Sequence, residues 1–581
     1  MVAEVQTNVC NVLVIGAGGA GLRAAIAARE AGVEVLVIAK RARGDAHTSL
    51  ASGGVNAALA TRDPDDSWQQ HFADTLREGY FLSDPRVVEI MAREAPGAIL
   101  EMAEWGCDFA RTADGAIDQR YFGAHKYRRT CYAGDYTGRA LLNTLVDKAT
   151  ELRIPLVDDQ YVAGLLVAQG ACFGAVAFDQ SSGERTAFIA DAVVLAAGGH
   201  TRVWRRSTSR RDENNGDGTY LALRAGCRVA DMELVQFHPT GMVAPEDSAG
   251  TLVTEAVRGE GGRLINSDGE RFMARYDADR MELSTRDRVA LANYTEIMEG
   301  RGGPNGGVFL DISHRDKDYI LDKLPRMYRQ FIELQMLDIA SQPMEVAPTA
   351  HYSMGGVVVD PETHRTDVEG LYAVGEVAAG LHGANRLGGN SLTETLVFGR
   401  RAGEAAAASS RRLGAQVRAS EVVSGALEEL ASFVHPGTEI VRPVQRALRN
   451  AMWEHCGVVR SAPGLEQGLA KVADLRDQLP AIDVRATAEG YGDLAHVLDL
   501  RASLVTAEAT LRGALARTET RGAHNRSDHP ELDPSLRENL EISIAGGDMS
   551  VTRAVVAPVP EHLAEWAGSA DEIELSGRLL E

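Results

Sequence analysis

The sequence predicts an α/β fold in which a dinucleotide-binding domain is interrupted by an inserted α+β lobe and followed by a helical domain and a small C-terminal domain. Three observations predict it: a strand, glycine turn and helix near the N-terminus; a second strand ending in a glycine and a carboxylate much later in the chain; and a long helical run after that.

Residues 11–15 form a short apolar run that leads into Gly16-Ala-Gly18-Gly19-Ala-Gly21. An alanine-rich helical pattern follows to about residue 31, and residues 33–38 read as a second strand, which completes a βαβ nucleotide-binding unit. The first glycine permits a tight turn, the second lets a pyrophosphate approach the backbone, and the third lets the helix pack close to the strand with its amides toward the phosphates. The second strand ends at Ala39-Lys40 rather than at an acid for a ribose hydroxyl, which argues against a simple NAD site. Residues 65–152 read as mainly helical. Residues 161–178 carry no charge and approach the length of a membrane span, but Gly164, Gly170 and Gly174 divide the run, so a β-hairpin fits better. Residues 186–197 form a buried strand ending in Gly198-Gly199. Residues 233–345 alternate short strands with amphipathic helices. Residues 357–374 return to strand character and end at Gly375-Glu376. From residue 399 to about 515 the pattern is helical, and the tail holds strand-like residues 540–544 and 551–556 around Gly546-Gly547. The divisions are 1–232 and 347–405 for the two parts of the nucleotide-binding domain, 233–346 for the inserted lobe, 406–515 for the helical domain and 516–581 for the C-terminal domain. A second fingerprint so far from the first favours FAD over NAD: the class is a two-fingerprint FAD-binding Rossmann-like domain with an inserted α+β capping domain.

A chain of 581 residues is too long for one core, and its 45% hydrophobic and 24% charged content is ordinary for a globular protein. The net charge of −22 disfavours nucleic acid as a partner, and it means that an anionic substrate must be held by a local cationic pocket. Six cysteines without a C-x-x-C pair predict no disulfide framework, no metal and no iron–sulfur cluster within this chain. Residues 1–11 lack a secretory pattern, so the expected compartment is reducing and no span is expected.

Several motifs carry a family resemblance: Ala46-His-Thr-Ser-Leu-Ala-Ser-Gly-Gly54, Gln236-Phe-His-Pro-Thr-Gly241, Leu252-Val-Thr-Glu255, Arg258-Gly-Glu-Gly-Gly262, His351-Tyr-Ser-Met-Gly-Gly356 and His382-Gly-Ala-Asn-Arg-Leu-Gly-Gly-Asn-Ser391, with Arg521-Gly-Ala-His524 as a late match. In these motifs the chain resembles the flavoprotein subunits of succinate dehydrogenase and fumarate reductase, with L-aspartate oxidase as a close relative. The resemblance runs from about residue 12 to 530. It implies a cofactor site of Gly16, Gly18, Gly19, Gly21, Lys40, His47, Thr48, Ser52, Gly53, Gly54, Asp217, Glu376, Ser391 and Leu392, with FAD joined covalently through its 8α-methyl to His47. Ala46 and Ser52 depart from the common form, where serine and a glutamine or glutamate stand. Asp217 is also placed to cap a helix.

The resemblance further implies that His238, Thr254, His351 and Arg386 bind the two carboxylates of succinate or fumarate. Arg286 then moves the proton, with Glu255 passing it outward. Such a role needs a crowded cationic pocket, since arginine normally holds its proton far above neutrality, and the alternative is an Arg286 that pairs with Asp287. L-aspartate oxidase is the nearest rival, supported by the segments 125–129 and 135–138, whereas His47 favours succinate chemistry. A non-catalytic flavin module is disfavoured by the complete residue set. Electrons must leave through another chain: the resemblance implies a membrane anchor with an iron–sulfur subunit, and a peripheral position on the cytoplasmic face of the cell membrane. A soluble fumarate reductase is the other reading.

Overall fold

The computed structural model describes residues 6–487 and 490–568. The fold is mixed α/β, and its main sheet explains how two distant fingerprints reach one place. Gln6–Ile15 pairs in parallel with Val35–Ile38 on one side and with Arg185–Leu195 on the other. Leu371–Ala373, which carries the second fingerprint, pairs in parallel with the same strand Arg185–Leu195, so that Leu195 stands opposite both Ile15 and Ala373. Gly16 and Gly375 therefore leave the sheet at one level, with one strand between them. Both have a positive φ, +112° and +73°. At Gly16 a Cβ would lie 2.2 Å from the Ala196 carbonyl oxygen, so the turn accepts only glycine.

The charge-free segment is a hairpin, as expected: Gln160–Ala168 and Ala171–Asp179 are antiparallel and extend the edge of the main sheet. They turn at Gln169 and Gly170, both with positive φ, the geometry that matches strand twist in a two-residue turn. No helix among the described residues is long and apolar enough to cross a membrane. Residues 357–374 depart from the expected strand. Only Gly356–Val357 and Leu371–Ala373 are strands, because Asp360 accepts the amides of Glu362 and Thr363 and turns the chain between them.

The inserted lobe is built on an antiparallel sheet ordered Val235–Met242, Met344–Ser353, Val308–Asp311 and Arg263–Ile265. Its core holds Val253, Leu264, Phe272, Leu310, Phe331 and Met344. Met344–Ser353 runs across position 346: its start pairs with Val308–Asp311, and its end reaches Val235 and Gln236. Helices Asn390–Arg412, Ser420–Ser432, Val441–His455, Ala462–Arg476 and Gly492–Ala516 follow. The C-terminal hairpin, Glu538–Ala545 and Asp548–Val555, turns at Gly546-Gly547 and pairs with Val229–Ala230 of the first part. The late motif also has a structural role, because the Ala523 amide donates to the Ala384 carbonyl at 2.9 Å and buttresses the loop that carries Arg386.

Candidate active site

One cavity of about 1860 Å³, open mouth included, gathers residues of the motifs in its lining. Its lining includes Gly16, Gly18, Gly19, Lys40 and Asp217; His47, Thr48, Ser52, Gly53, Gly54, Glu376, Ser391 and Leu392; and a cluster of His238, Thr254, Glu255, Arg286, His351 and Arg386. Gly21 does not line it and stands behind the turn, where the third glycine of the run was expected to let the helix pack close. A Cβ there would lie 1.9 Å from the Gly16 carbonyl oxygen, so Gly21 acts through packing, by letting the helix meet the turn.

The helix Gly19–Glu30 begins without a side-chain cap from Gly18 and without an acid in its first turn, so the amides that follow Gly19 are left for an anion. Thr48 holds this turn to the His47 loop: its hydroxyl accepts the Gly19 amide at 3.0 Å. Asp217 does not cap its helix. Gly216 holds the cap position, and the Asp217 carboxylate lies 3.5 Å from Lys40, whose ammonium also meets Asp499 at 2.7 Å. The Glu376 carboxylate accepts the Ser353 amide at 3.0 Å and the Asn214 side-chain amide at 3.1 Å. Ser52, the departure from the common form, has its hydroxyl occupied: it accepts from the Arg326 guanidinium at 2.9 Å, a contact from the inserted lobe.

In the cluster, two guanidinium groups share one neutral acceptor. Arg386 Nη2 and Arg286 Nη1 both donate to Gln236 Oε1, at 2.9 and 3.2 Å. Arg286 has a carboxylate, Glu255, whose Oε2 accepts from Nε at 2.9 Å. Asp287 is not its partner, because that acid takes the Tyr80 hydroxyl and the Asn385 amide instead. Arg386 has no carboxylate within 4 Å among the described residues. It bonds Ser391 Oγ at 3.0 Å and lies over the face of Tyr352 at 4.4 Å, a buried cation prepared for an anion from outside. Burial and Arg286 lower its pKa to about 10.

The two histidines stand edge to face, 5.1 Å between ring centres. The Thr240 backbone holds His238 Nδ1 and the Thr208 hydroxyl holds His351 Nδ1, so each ring leaves Nε2 for the cavity. Burial first, then the surrounding cations, push both pKa values well below the ordinary histidine range. Glu255 moves the opposite way to burial: Arg286 and Arg258 outweigh desolvation and hold it down to about 2. Both rings are therefore neutral and Glu255 is ionised at neutral pH. Gln236, Arg258 and Tyr352 stand inside the motifs, where sequence reasoning assigned them no role, and Phe122, 5.6 Å under Arg286, gave no sequence signal.

Residues 11–392 match the FAD binding domain family, and residues 445–551 match the fumarate reductase flavoprotein C-terminal family. The chain is 46% identical over 542 residues to a subunit of the fumarate reductase (CoM/CoB) of Methanothermobacter marburgensis, covering 92% of this chain and 97% of that one. This chain belongs to the flavoprotein-subunit family of succinate dehydrogenases and fumarate reductases. It is an FAD-dependent oxidoreductase of that family, 37% identical to the succinate dehydrogenase flavoprotein subunit of Rickettsia bellii over 93% of both chains. Among solved structures, Mycobacterium smegmatis Sdh1 in complex with UQ1 superposes with a TM-score of 0.89 at 40% identity over 96% of both chains. A quinol-fumarate reductase with menaquinol molecules superposes at 0.91 and 34% identity, covering 96% of this chain and 100% of that one. The residues present fit FAD: an uncapped helix start for the pyrophosphate, a turn too close for any side chain, and a cavity whose lining holds both that turn and the cationic cluster.

Proposed function

We propose that this flavoprotein interconverts succinate and fumarate and exchanges its electrons with an iron–sulfur subunit. The observation that carries the reading is the pair of arginines bridged by Gln236: one guanidinium has no carboxylate partner among the described residues, and the other is tied to an acid. Bound FAD supplies a hydride acceptor or donor at N5. The cofactor contacts are assigned to the lining residues named above outside the cationic cluster, with His47 as the covalent anchor. Arg386, His351, His238 and Thr254 hold the two carboxylates of the four-carbon diacid by charge and by hydrogen bonds.

Arg286 handles the proton. Its charge, together with that of Arg258, keeps Glu255 ionised, and burial alone would favour the neutral acid. When the guanidinium gives its proton to the substrate carbon in the reductive direction, Glu255 loses that support, its proton affinity rises, and it takes a proton from outside to restore the pair. In the oxidative direction the same path runs backward.

The partners are a membrane anchor with an iron–sulfur subunit, and the flavoprotein is peripheral on the cytoplasmic face of the cell membrane. Relatives bear both names, succinate dehydrogenase and fumarate reductase, so net direction is assigned to the electron partner. Two measurements test the reading. Purified protein is expected to bleach an artificial electron acceptor with succinate and not with L-aspartate; the reverse preference would make it an aspartate oxidase. Acid-precipitated protein is expected to stay yellow, and a colourless pellet would remove the covalent link.

The pocket also predicts a pH dependence. Both histidines are neutral in the free protein, and a bound dianion raises their proton affinity, so binding takes up protons. Malonate is expected to bind more tightly as pH falls from about 8 to about 6. Calorimetry in buffers of different ionisation enthalpy checks it, and affinity that does not change with pH would contradict it.

A further inference from the structure

His47 has two nitrogens in different surroundings. Nδ1 is closed off from solvent and faces Glu213 Oε2 at 3.5 Å, while the side chain keeps 27% exposure and lines the cavity. Nε2, on the other edge of the ring, is the accessible nitrogen. Among the described residues, neither His47 Nδ1 nor Glu213 Oε2 has another hydrogen-bond partner. Glu213 is itself buried at 8% exposure, also lines the cavity, and is held from behind through its other oxygen by Arg210 at 3.4 Å and Arg41 at 3.6 Å.

We infer that Glu213 is the positioning residue for flavin attachment: it binds the Nδ1 proton of His47, turns Nε2 toward the flavin's benzenoid edge, and balances the positive ring that attachment creates. The inference rests on the covalent reading of His47.

During attachment the Nε2 lone pair forms a bond to the 8α-carbon, and one methyl C–H bond breaks. Its electron pair passes through the ring system to an oxidant, fumarate, which leaves as succinate after taking up two protons, one from the methyl and one from the imidazole. Until that second proton departs, the alkylated ring is an imidazolium, and the buried carboxylate 3.5 Å away is its counter-ion. The direction of the ring's titration agrees. Burial opposes a charge on His47, yet Glu213 outweighs it and raises the pKa, with Glu376 adding to Glu213 and Arg210 opposing. Glu213 correspondingly stays low despite burial, held there by His47, Arg210 and Arg41. The same logic orients a catalytic histidine through a buried acid in hydrolases.

The test compares wild type with Glu213→Leu, Glu213→Gln and Glu213→Asp, each expressed with FAD and fumarate present. Two readouts are taken: total flavin in the native protein, and flavin that stays on the chain after acid denaturation. Glu213→Leu is expected to keep total flavin while its covalent fraction forms about tenfold more slowly or worse, the loss of an orienting acid. Glu213→Gln is expected to fall between, since an amide oxygen accepts the Nδ1 proton but supplies no charge, and Glu213→Asp is expected to recover most of the rate. Should Glu213→Leu lose total flavin through misfolding, the Gln and Asp variants decide by the same readouts. A covalent fraction in all three variants equal to wild type would overturn the role of Glu213 while leaving the link intact. A wild type whose flavin is bound but released by acid would overturn the link itself, and this inference with it.

Discussion

Arg286→Gln is expected to lower turnover by about 10³- to 10⁴-fold, the range for losing a positioned proton donor or acceptor. Flavin content is expected to stay at the wild-type level, and malonate affinity to change by less than about tenfold, because dicarboxylate binding is assigned chiefly to Arg386, His351, His238 and Thr254. Glutamine preserves the polar reach toward Gln236 and Glu255 but has no proton to give. The structure sharpens the expectation through Glu255, whose carboxylate is held down to about 2 by Arg286 and Arg258. With Arg286 gone, Arg258 remains beside it at 3.6 Å, and the acid's pKa is expected to rise. Steady-state rates with succinate and an artificial acceptor, set beside malonate titrations of the same preparations, check both parts. Turnover within tenfold of wild type would remove Arg286 from proton transfer. A double variant with Glu255→Gln is expected to be little worse than Arg286→Gln alone, since the two act as one relay.

Much of the fold was legible because its signals are local. The glycine run at 16–21, the uncharged hairpin at 161–178 and the Gly546-Gly547 turn each announce a backbone geometry that few other residues permit. The site was legible in a different way: Arg386, His351, His238 and Arg286 were named by their motifs, and the structure brings all four into the lining of one cavity. Sequence did not show which acid belongs to which base. Asp287 adjoins Arg286 in the chain, but side chains one residue apart on a helix do not face each other, and Asp287 turns toward Tyr80 and Asn385. Glu255 reaches Arg286 only because the short helix Ala256–Gly259 and the helix Arg286–Glu296 belong to the same folded lobe. Glu213 was missed for a related reason: its segment matches none of the motifs, and its meaning comes entirely from His47, which lies on another part of the chain. Pairing across long separations is what tertiary packing decides.

Gly21→Ala puts the packing of the nucleotide turn to its most direct test. A glycine at this point was expected so that the helix could approach the strand, and the distances show how little room there is: a Cβ would lie 1.9 Å from the Gly16 carbonyl oxygen and 3.2 Å from the Ala196 side chain. The first obstacle is backbone, so it cannot move aside as a flexible side chain would. Gly21→Ala must therefore push the helix Gly19–Glu30 away from the turn, which displaces the Gly19 amide from Thr48 and shifts the amides assigned to the pyrophosphate. The helix is buried along almost its whole length, so the displacement spreads into the core that it shares with Asn390–Arg412. A cost of about 3 kcal/mol or more is expected, at the upper end for overpacking a core. The visible result is protein that purifies with little or no flavin and melts well below wild type, measured by absorbance and by thermal unfolding with and without added FAD. Retained flavin at wild-type stoichiometry, with an unchanged melting temperature, would mean that the helix is not pinned to the turn as these distances require.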